Sequence, residues 1–317
     1  MSVPDLNILI LGRTGQVARD LQILLPPVGS VSCVGRPEYD LSRPDSIREM
    51  IRQRRPDVLI NAAAYTAVDR AESEPETAMK INAEAPGIMA EEAKRLGSLF
   101  ISYSTDYVFD GKKSIPYVEG DDPNPLNVYG ASKLAGDRAI EAVGGSYIIF
   151  RTSWVYSATG RNFLNTIVKL ATEREELRVV DDQIGAPTWS RDIAAATTQV
   201  IRQSTRSVLA GTGQNASEAL RDRRGIYNLT AEGSVSWCGF AVAILEEIKK
   251  QRKNHGGLAG ITPISTSQYP TPAQRPLNSR LLNKKVHEVF GVFLPPWRES
   301  LTRVITEKAG QQDNERG

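Results

Sequence analysis

Near the start of the chain, Leu6-Asn7-Ile8-Leu9-Ile10-Leu11 forms an almost unbroken apolar run that stops at Gly12, and a helical pattern from Arg19 to Leu25 follows at once. A run this short, apolar in both parities, fits a strand covered on both faces, which is the condition of a parallel sheet. Parallel neighbours need a crossover, so a chain that opens this way is led toward alternating strands and helices. The alternation continues. Val28 to Val34, Asp57 to Ile60, Leu99 to Tyr103 and Tyr147 to Phe150 read as further strands, with helical stretches from about Ser46 to Arg54 and from Glu76 to Leu96 between them.

The connection after the first strand, Gly12-Arg13-Thr14-Gly15-Gln16-Val17-Ala18, has the context in which a glycine-rich loop carries meaning. Gly12 and Gly15, with Gln16 and Val17 in the same loop, would let the backbone approach a pyrophosphate, and the first turn of the helix that follows would offer it free N–H groups and a positive dipole end. A plain tight turn is the simpler alternative. After the second strand, Gly35-Arg36 occupies the place where an acid would grip the adenine ribose of NAD. Arg36 favours a 2′-phosphate and hence NADPH, with NADH as a second reductant, or is simply a surface arginine. Asp40-Leu41 follows, and the third strand delivers Asn61-Ala62-Ala63-Ala64-Tyr65-Thr66 at its carboxyl end, where ligands of open parallel sheets bind. The fold class expected is α/β, a Rossmann-like doubly wound parallel sheet with a smaller C-terminal substrate-binding lobe.

Residues 1–154 are expected to form the dinucleotide-binding domain, with roughly 186–230 returning to it. Residues 155–185 and 231–300 would build mainly the smaller lobe, 204–224 a surface loop, and 309–317 a flexible, frayed tail. Lys plus Arg (39) nearly balance Asp plus Glu (37), a net charge of +2, so composition makes no case for nucleic acid or an anionic membrane. Cys33 and Cys238 stand alone, and His255 and His287, the only histidines, sit in no ligand spacing. The start lacks a basic flank and a secretory apolar core, and no run approaches membrane-spanning length. A soluble cytoplasmic protein is expected.

Chemistry enters with Asn127-Val128-Tyr129-Gly130-Ala131-Ser132-Lys133. On a helix, Tyr129 and Lys133 stand one turn apart on one face. A phenol of pKa about 10 is a poor acid at neutral pH, and a nearby ammonium favours the phenolate. A hydroxyl at the end of the fourth strand, in Ser104-Thr105-Asp106-Tyr107-Val108-Phe109, would hydrogen-bond a carbonyl oxygen beside that tyrosine, or simply cap a helix or turn.

Gly12-x-x-Gly15, Asn61 to Asp69, Ser104 to Phe109 and Tyr129-x-x-x-Lys133 together resemble the extended short-chain dehydrogenase/reductases. Arg151-Thr-Ser-Trp-Val-Tyr156, Val180 to Thr188 and Arg275-Pro-Leu-Asn-Ser-Arg-Leu281 narrow the likeness to the dTDP-4-dehydrorhamnose reductase family, over residues 6 to 300. The resemblance implies NADPH-dependent reduction of a 4-keto nucleotide sugar, with Tyr129 as proton donor. Lys133 would lower its pKa and hold the nicotinamide ribose, and Thr105 would bind the reacting oxygen. Asp106 and Trp154 would face the sugar; Trp154 also reads as a core aromatic. A homodimer is implied, and some members hold magnesium between subunits with glutamates, where this chain has the shorter Asp20 and Asp192. Two other readings stay open: an NAD-retaining epimerase or dehydratase, and a non-catalytic regulatory subunit on the same fold.

Overall fold

The computed structural model describes residues 6–205, 220–251 and 257–314 of the 317-residue chain. The first five strands are β1 (Leu6–Leu11), β2 (Gly29–Val34), β3 (Val58–Asn61), β4 (Leu99–Thr105) and β5 (Tyr147–Thr152). With Gly225–Asn228 they make one parallel sheet in the order Gly225–Asn228, β5, β4, β3, β1, β2. The apolar run of β1 explains the doubly wound form. Ile8 and Ile10 enter a core with Ala18 and Leu21 of helix Gln16–Leu24 and with Ile193 and Val200 of helix Ser190–Ser204. Leu9 and Leu11 enter the opposite core with Ile47 and Ile51 of helix Pro44–Arg54, Met89 of Ala85–Leu96 and Ile140 of Val128–Val143. All four β1 side chains are fully buried, each contributing roughly 1.5–3 kcal/mol of apolar burial.

A second core lies beyond β5. It gathers Leu164 and Ile167 of helix Phe163–Glu173, Phe240 and Ile244 of Trp237–Gln251, and Leu301 and Ile305 of Trp297–Asn314. Glu176–Val180 pairs in parallel with Gly260–Ile264 beside it. Three boundaries differ from the sequence reading. The long helix expected from Glu76 to Leu96 is broken into Pro75–Met79, a π-turn at Lys80–Glu84 and Ala85–Leu96. Helix Lys284–Phe290 sends Val286 and Phe290 into the sheet core, not the smaller lobe. The last helix runs through 309–314, where a frayed tail was expected, because its earlier turns are anchored in the second core. Of the loop expected at 204–224, residues 206–219 lie outside the described residues.

Candidate active site

The carboxyl ends of the strands open on a cleft of about 920 Å³ at the point where strand order reverses, with β2 on one side of β1 and β3 on the other. Gly12, Gly15, Gln16 and Val17 line it. Gly12 has φ +110°, and a Cβ there would lie 2.9 Å from backbone atoms of Ala62 and Ala63 across the cleft floor. No side chain caps helix Gln16–Leu24 and no acid sits in its first turn, so its positive end faces the cleft. This glycine cradle and bare helix end fit a dinucleotide pyrophosphate.

Arg36, Asp40 and Leu41 line the far end. Asp40 accepts hydrogen bonds from the Ser42 amide (2.9 Å) and hydroxyl (2.8 Å), which hold its carboxyl below the usual range. Glu38 stands just past Arg36 but is engaged by Arg13, which also donates to the Cys33 carbonyl. Ala64 and Thr66 line the cleft, whereas Tyr65 turns away from it. The Tyr65 amide donates to Asn82 Oδ1 at 2.8 Å and its hydroxyl to Glu74 at 2.8 Å. Asn82 sits in the π-turn and donates both to the Tyr65 carbonyl and to Ser132 Oγ, at 3.0 Å each, tying the loop after β3 to the helix of Tyr129. Strand periodicity says nothing of side-chain direction in such a loop.

Helix Val128–Val143 begins at Asn127, whose Oδ1 accepts from the Gly130 amide at 2.8 Å. Tyr129 and Lys133 project from it into the cleft wall beside Tyr103, Ser104 and Thr152. The Thr105 hydroxyl adjoins the phenol, donates to Asp106 Oδ1 at 3.0 Å and accepts from the Tyr107 amide. The sequence predicts that Lys133 lowers the phenol's pKa; the structure instead turns Lys133 Nζ onto the Tyr103 carbonyl at 2.7 Å. Burial pushes Tyr129 up to about 12, against the Thr105 hydrogen bond, and the charges of Asp106 and Asp137 add to the rise. The phenol therefore holds its proton at neutral pH, as a donor must before it acts.

Burial likewise lifts Asp106 to about 6, opposed by Ser279 and Thr105. A raised folded-state value means that ionised Asp106 costs stability above pH 6, and that this cost disappears as pH falls below the unfolded value of about 3.9. Asp106→Asn is thus expected to stabilise the fold at pH 8 by on the order of 2 kcal/mol, read as a higher melting temperature, and to leave stability nearly unchanged at pH 4. Equal shifts at both pH values would show that the carboxylate is not under this strain.

Trp154 lies outside the lining of the dinucleotide cleft. Its backbone is left-handed (φ 48°) and its indole stacks on Trp237 at 3.5 Å between ring centroids. A Cβ on Gly185 would meet that indole at 2.5 Å, so the ring is held between Gly185 and Trp237. Trp237 carried no motif and was missed by the sequence reading, as was Thr152, whose only signal was its place in the Arg151 to Tyr156 stretch. Gln16 lines the cleft and also grips the second lobe: its Oε1 accepts from Ser157 Oγ and Asn162 Nδ2, both at 2.9 Å.

Asp20 and Asp192 lie elsewhere. Asp20 accepts from Ser190 Oγ (2.5 Å) and Arg191 Nε (3.0 Å), and Asp192 from Ser300 Oγ (2.5 Å) and Arg303 (3.5 Å). The two guanidinium groups lie 5.1 and 5.0 Å from the centre of the Trp189 ring. A magnesium ion demands several oxygen ligands with free lone pairs, and here hydroxyls and cations face the carboxylates. Among the described residues no group of three or more acids, histidines and cysteines is placed to hold a metal. The residues present do not fit magnesium.

Residues 6–309 match the family described as the RmlD substrate binding domain. The dTDP-4-dehydrorhamnose reductase of Burkholderia thailandensis is 44% identical over 310 residues, covering 96% of this chain and 100% of that protein. The Escherichia coli K12 reductase of the same name is 42% identical over 306 residues, covering 95% and 98%. Among solved structures, dTDP-4-dehydrorhamnose reductase from Bacillus anthracis in complex with NADP superposes with a TM-score of 0.84 at 31% identity, covering 96% of this chain and 99% of that one. Likeness of this extent, on a chain whose cleft unites the glycine cradle with Tyr129 and Lys133, shows that the chain belongs to the dTDP-4-dehydrorhamnose reductase family.

Proposed function

We propose that this protein reduces the 4-keto group of dTDP-4-dehydro-6-deoxy-L-mannose (dTDP-4-dehydro-L-rhamnose) to dTDP-L-rhamnose, the last step of dTDP-L-rhamnose biosynthesis, which feeds cell-surface polysaccharide including lipopolysaccharide. The observation that carries this reading is that Tyr129 and Lys133, one turn apart on helix Val128–Val143, line the same cleft as the glycine turn, with Thr105 beside the phenol. NADPH, when bound, supplies the hydride for C4. Tyr129 gives its proton to the oxygen, Thr105 turns its hydroxyl hydrogen from Asp106 to that oxygen, and the buried Lys133 ammonium would hold the nicotinamide ribose. Asp106 and Trp154 wall the sugar.

The test is product formation from dTDP-4-dehydro-6-deoxy-L-mannose with NADPH consumed mole for mole. A hydride-returning epimerase would show turnover without net consumption, and a regulatory subunit would show neither. Tyr107 favours the reductase, since dehydratases of this superfamily commonly place an acid directly after the Thr-Asp pair.

Arg36 at the adenosine end supports NADPH over NADH. Arg36→Ala is expected to raise the KM for NADPH about tenfold with little change for NADH, matching the loss of one charge-assisted contact. An equal rise for both would remove the 2′-phosphate from its role. Asp20 and Asp192 are taken up by partners within the chain, so the homodimer proposed here needs no magnesium, and dialysis against EDTA should leave activity and melting temperature unchanged; loss of either would restore the metal. No helix among the described residues is long and apolar enough to cross a membrane, which accords with the cytoplasmic placement proposed here.

A further inference from the structure

Behind Tyr129 lies a buried charge cluster that the reaction as derived leaves unused. Asp137 follows Lys133 by four residues and so stands one turn further along the same helix face. Its Oδ2 accepts from Ser104 Oγ at 2.9 Å and from Arg151 Nε at 3.2 Å. Lys133, Asp137 and Arg151 are all buried, and Arg151 Nη1 has no hydrogen-bond partner. As a device for stability this is poor, because burying two cations and one anion costs more than well-packed apolar residues would. Its placement is what distinguishes it. Ser104 comes from β4, Arg151 from β5 and Lys133 from the helix, and Ser104 and Lys133 both line the cleft.

We propose that Asp137 is a positioning residue that fixes Ser104 in the cleft wall by its hydrogen bond and, one helical turn beyond Lys133, sets through its charge how tightly Tyr129 keeps its proton. This rests on the reductase reading and deepens it. Around Tyr129 stand Lys133 and Asp137, one and two turns along its own helix, and Thr105, Asp106 and Tyr107 at and just after the end of β4. Tyr107 is in turn faced by Arg275 and Asp69. Within this set Asp137 acts in the same sense on both catalytic groups: its charge raises Tyr129 and raises Lys133.

The test compares pH profiles of kcat from pH 6 to 11 for the wild type, Asp137→Asn and Asp137→Glu, with NADPH and dTDP-4-dehydro-6-deoxy-L-mannose. Loss of the Asp137 charge should let Tyr129 ionise more readily, so Asp137→Asn should lose activity at a pH lower than the wild type by roughly half a unit or more. Asp137→Glu should return the profile toward the wild type. Coincident profiles for Asp137→Asn and the wild type, whatever the drop in kcat, would reduce Asp137 to a structural residue and overturn the proposal. Should Asp137→Asn fail to fold because Arg151 is left unpaired, Asp137→Asn/Arg151→Gln is compared with Arg151→Gln alone, so that the difference between their profiles is the loss of the Asp137 charge. Failure of both to fold assigns the cluster to stability and equally overturns it. An inactive wild type would instead defeat the reductase reading, so the two failures are distinguishable.

Discussion

Tyr129→Phe is expected to lower kcat by about 10²–10⁴-fold, the usual worth of a positioned general acid, while leaving the protein folded and able to bind NADPH. The substitution removes one hydroxyl and keeps the ring, whose edge-on contact with Tyr107 (5.7 Å between centroids) is apolar and unaffected. The hydroxyl removed is the only one among the catalytic groups that is both protonated at neutral pH and acidic enough to give up its proton to an alkoxide. Thr105 spends its own hydrogen on Asp106. Turnover, NADPH affinity by fluorescence and thermal melting, measured on one preparation, separate chemistry from binding and folding. Undiminished reduction would hand the proton to Asp106, which burial brings to about 6 and which is the next acid in reach.

Gly12→Ala should be as damaging at the other end of the reaction, weakening NADPH about 100-fold or more, equivalent to ~2.7 kcal/mol. Two costs coincide at this position. A φ of +110° is outside what an L side chain ordinarily adopts, and the new methyl would lie 2.9 Å from the backbone of Ala62 and Ala63. Backbone atoms on a strand end cannot swing aside as a flexible side chain can, so the loop itself must move and carry Gly15 and the helix start with it. Strain of this kind costs on the order of 1–3 kcal/mol, so the melting temperature should fall as well. Calorimetric titration with NADPH gives the number. Retention of wild-type affinity would mean that the pyrophosphate does not rest on this turn.

The sheet was legible because its evidence is local. Apolar runs of strand length, ended by Gly12, Asn61 or Thr105, recur with helical patterns between them, and burial on both faces follows from the runs themselves. The placing of Tyr129 and Lys133 in one wall was legible for the same reason, since they sit at a fixed offset within one helix. What escaped depends on distant partners. Trp237 matters because Trp154, more than eighty positions earlier, lies flat on it, and nothing in either neighbourhood announces the pair. Tyr65 was read as part of the cofactor wall until Asn82, in an unforeseen π-turn, is seen to fix its backbone. The effect of Lys133 on Tyr129 was expected from spacing alone, but spacing cannot show that a carbonyl takes the ammonium or that burial outweighs it.

Gln16 and Arg191 give the two cores a common fate. Gln16, at the start of the first helix, carries two hydrogen bonds from the second lobe, and Arg191 joins Asp20 on that same helix to Glu307 at 2.7 Å on the last one. Neither lobe can melt without releasing the helix that begins at the glycine turn. In calorimetric terms the chain should behave as one unit, its van't Hoff and measured enthalpies agreeing through a single endotherm despite its two apolar interiors. A ligand seated on the turn would then be felt as heat resistance in the far lobe as much as in the near one, by mass action alone.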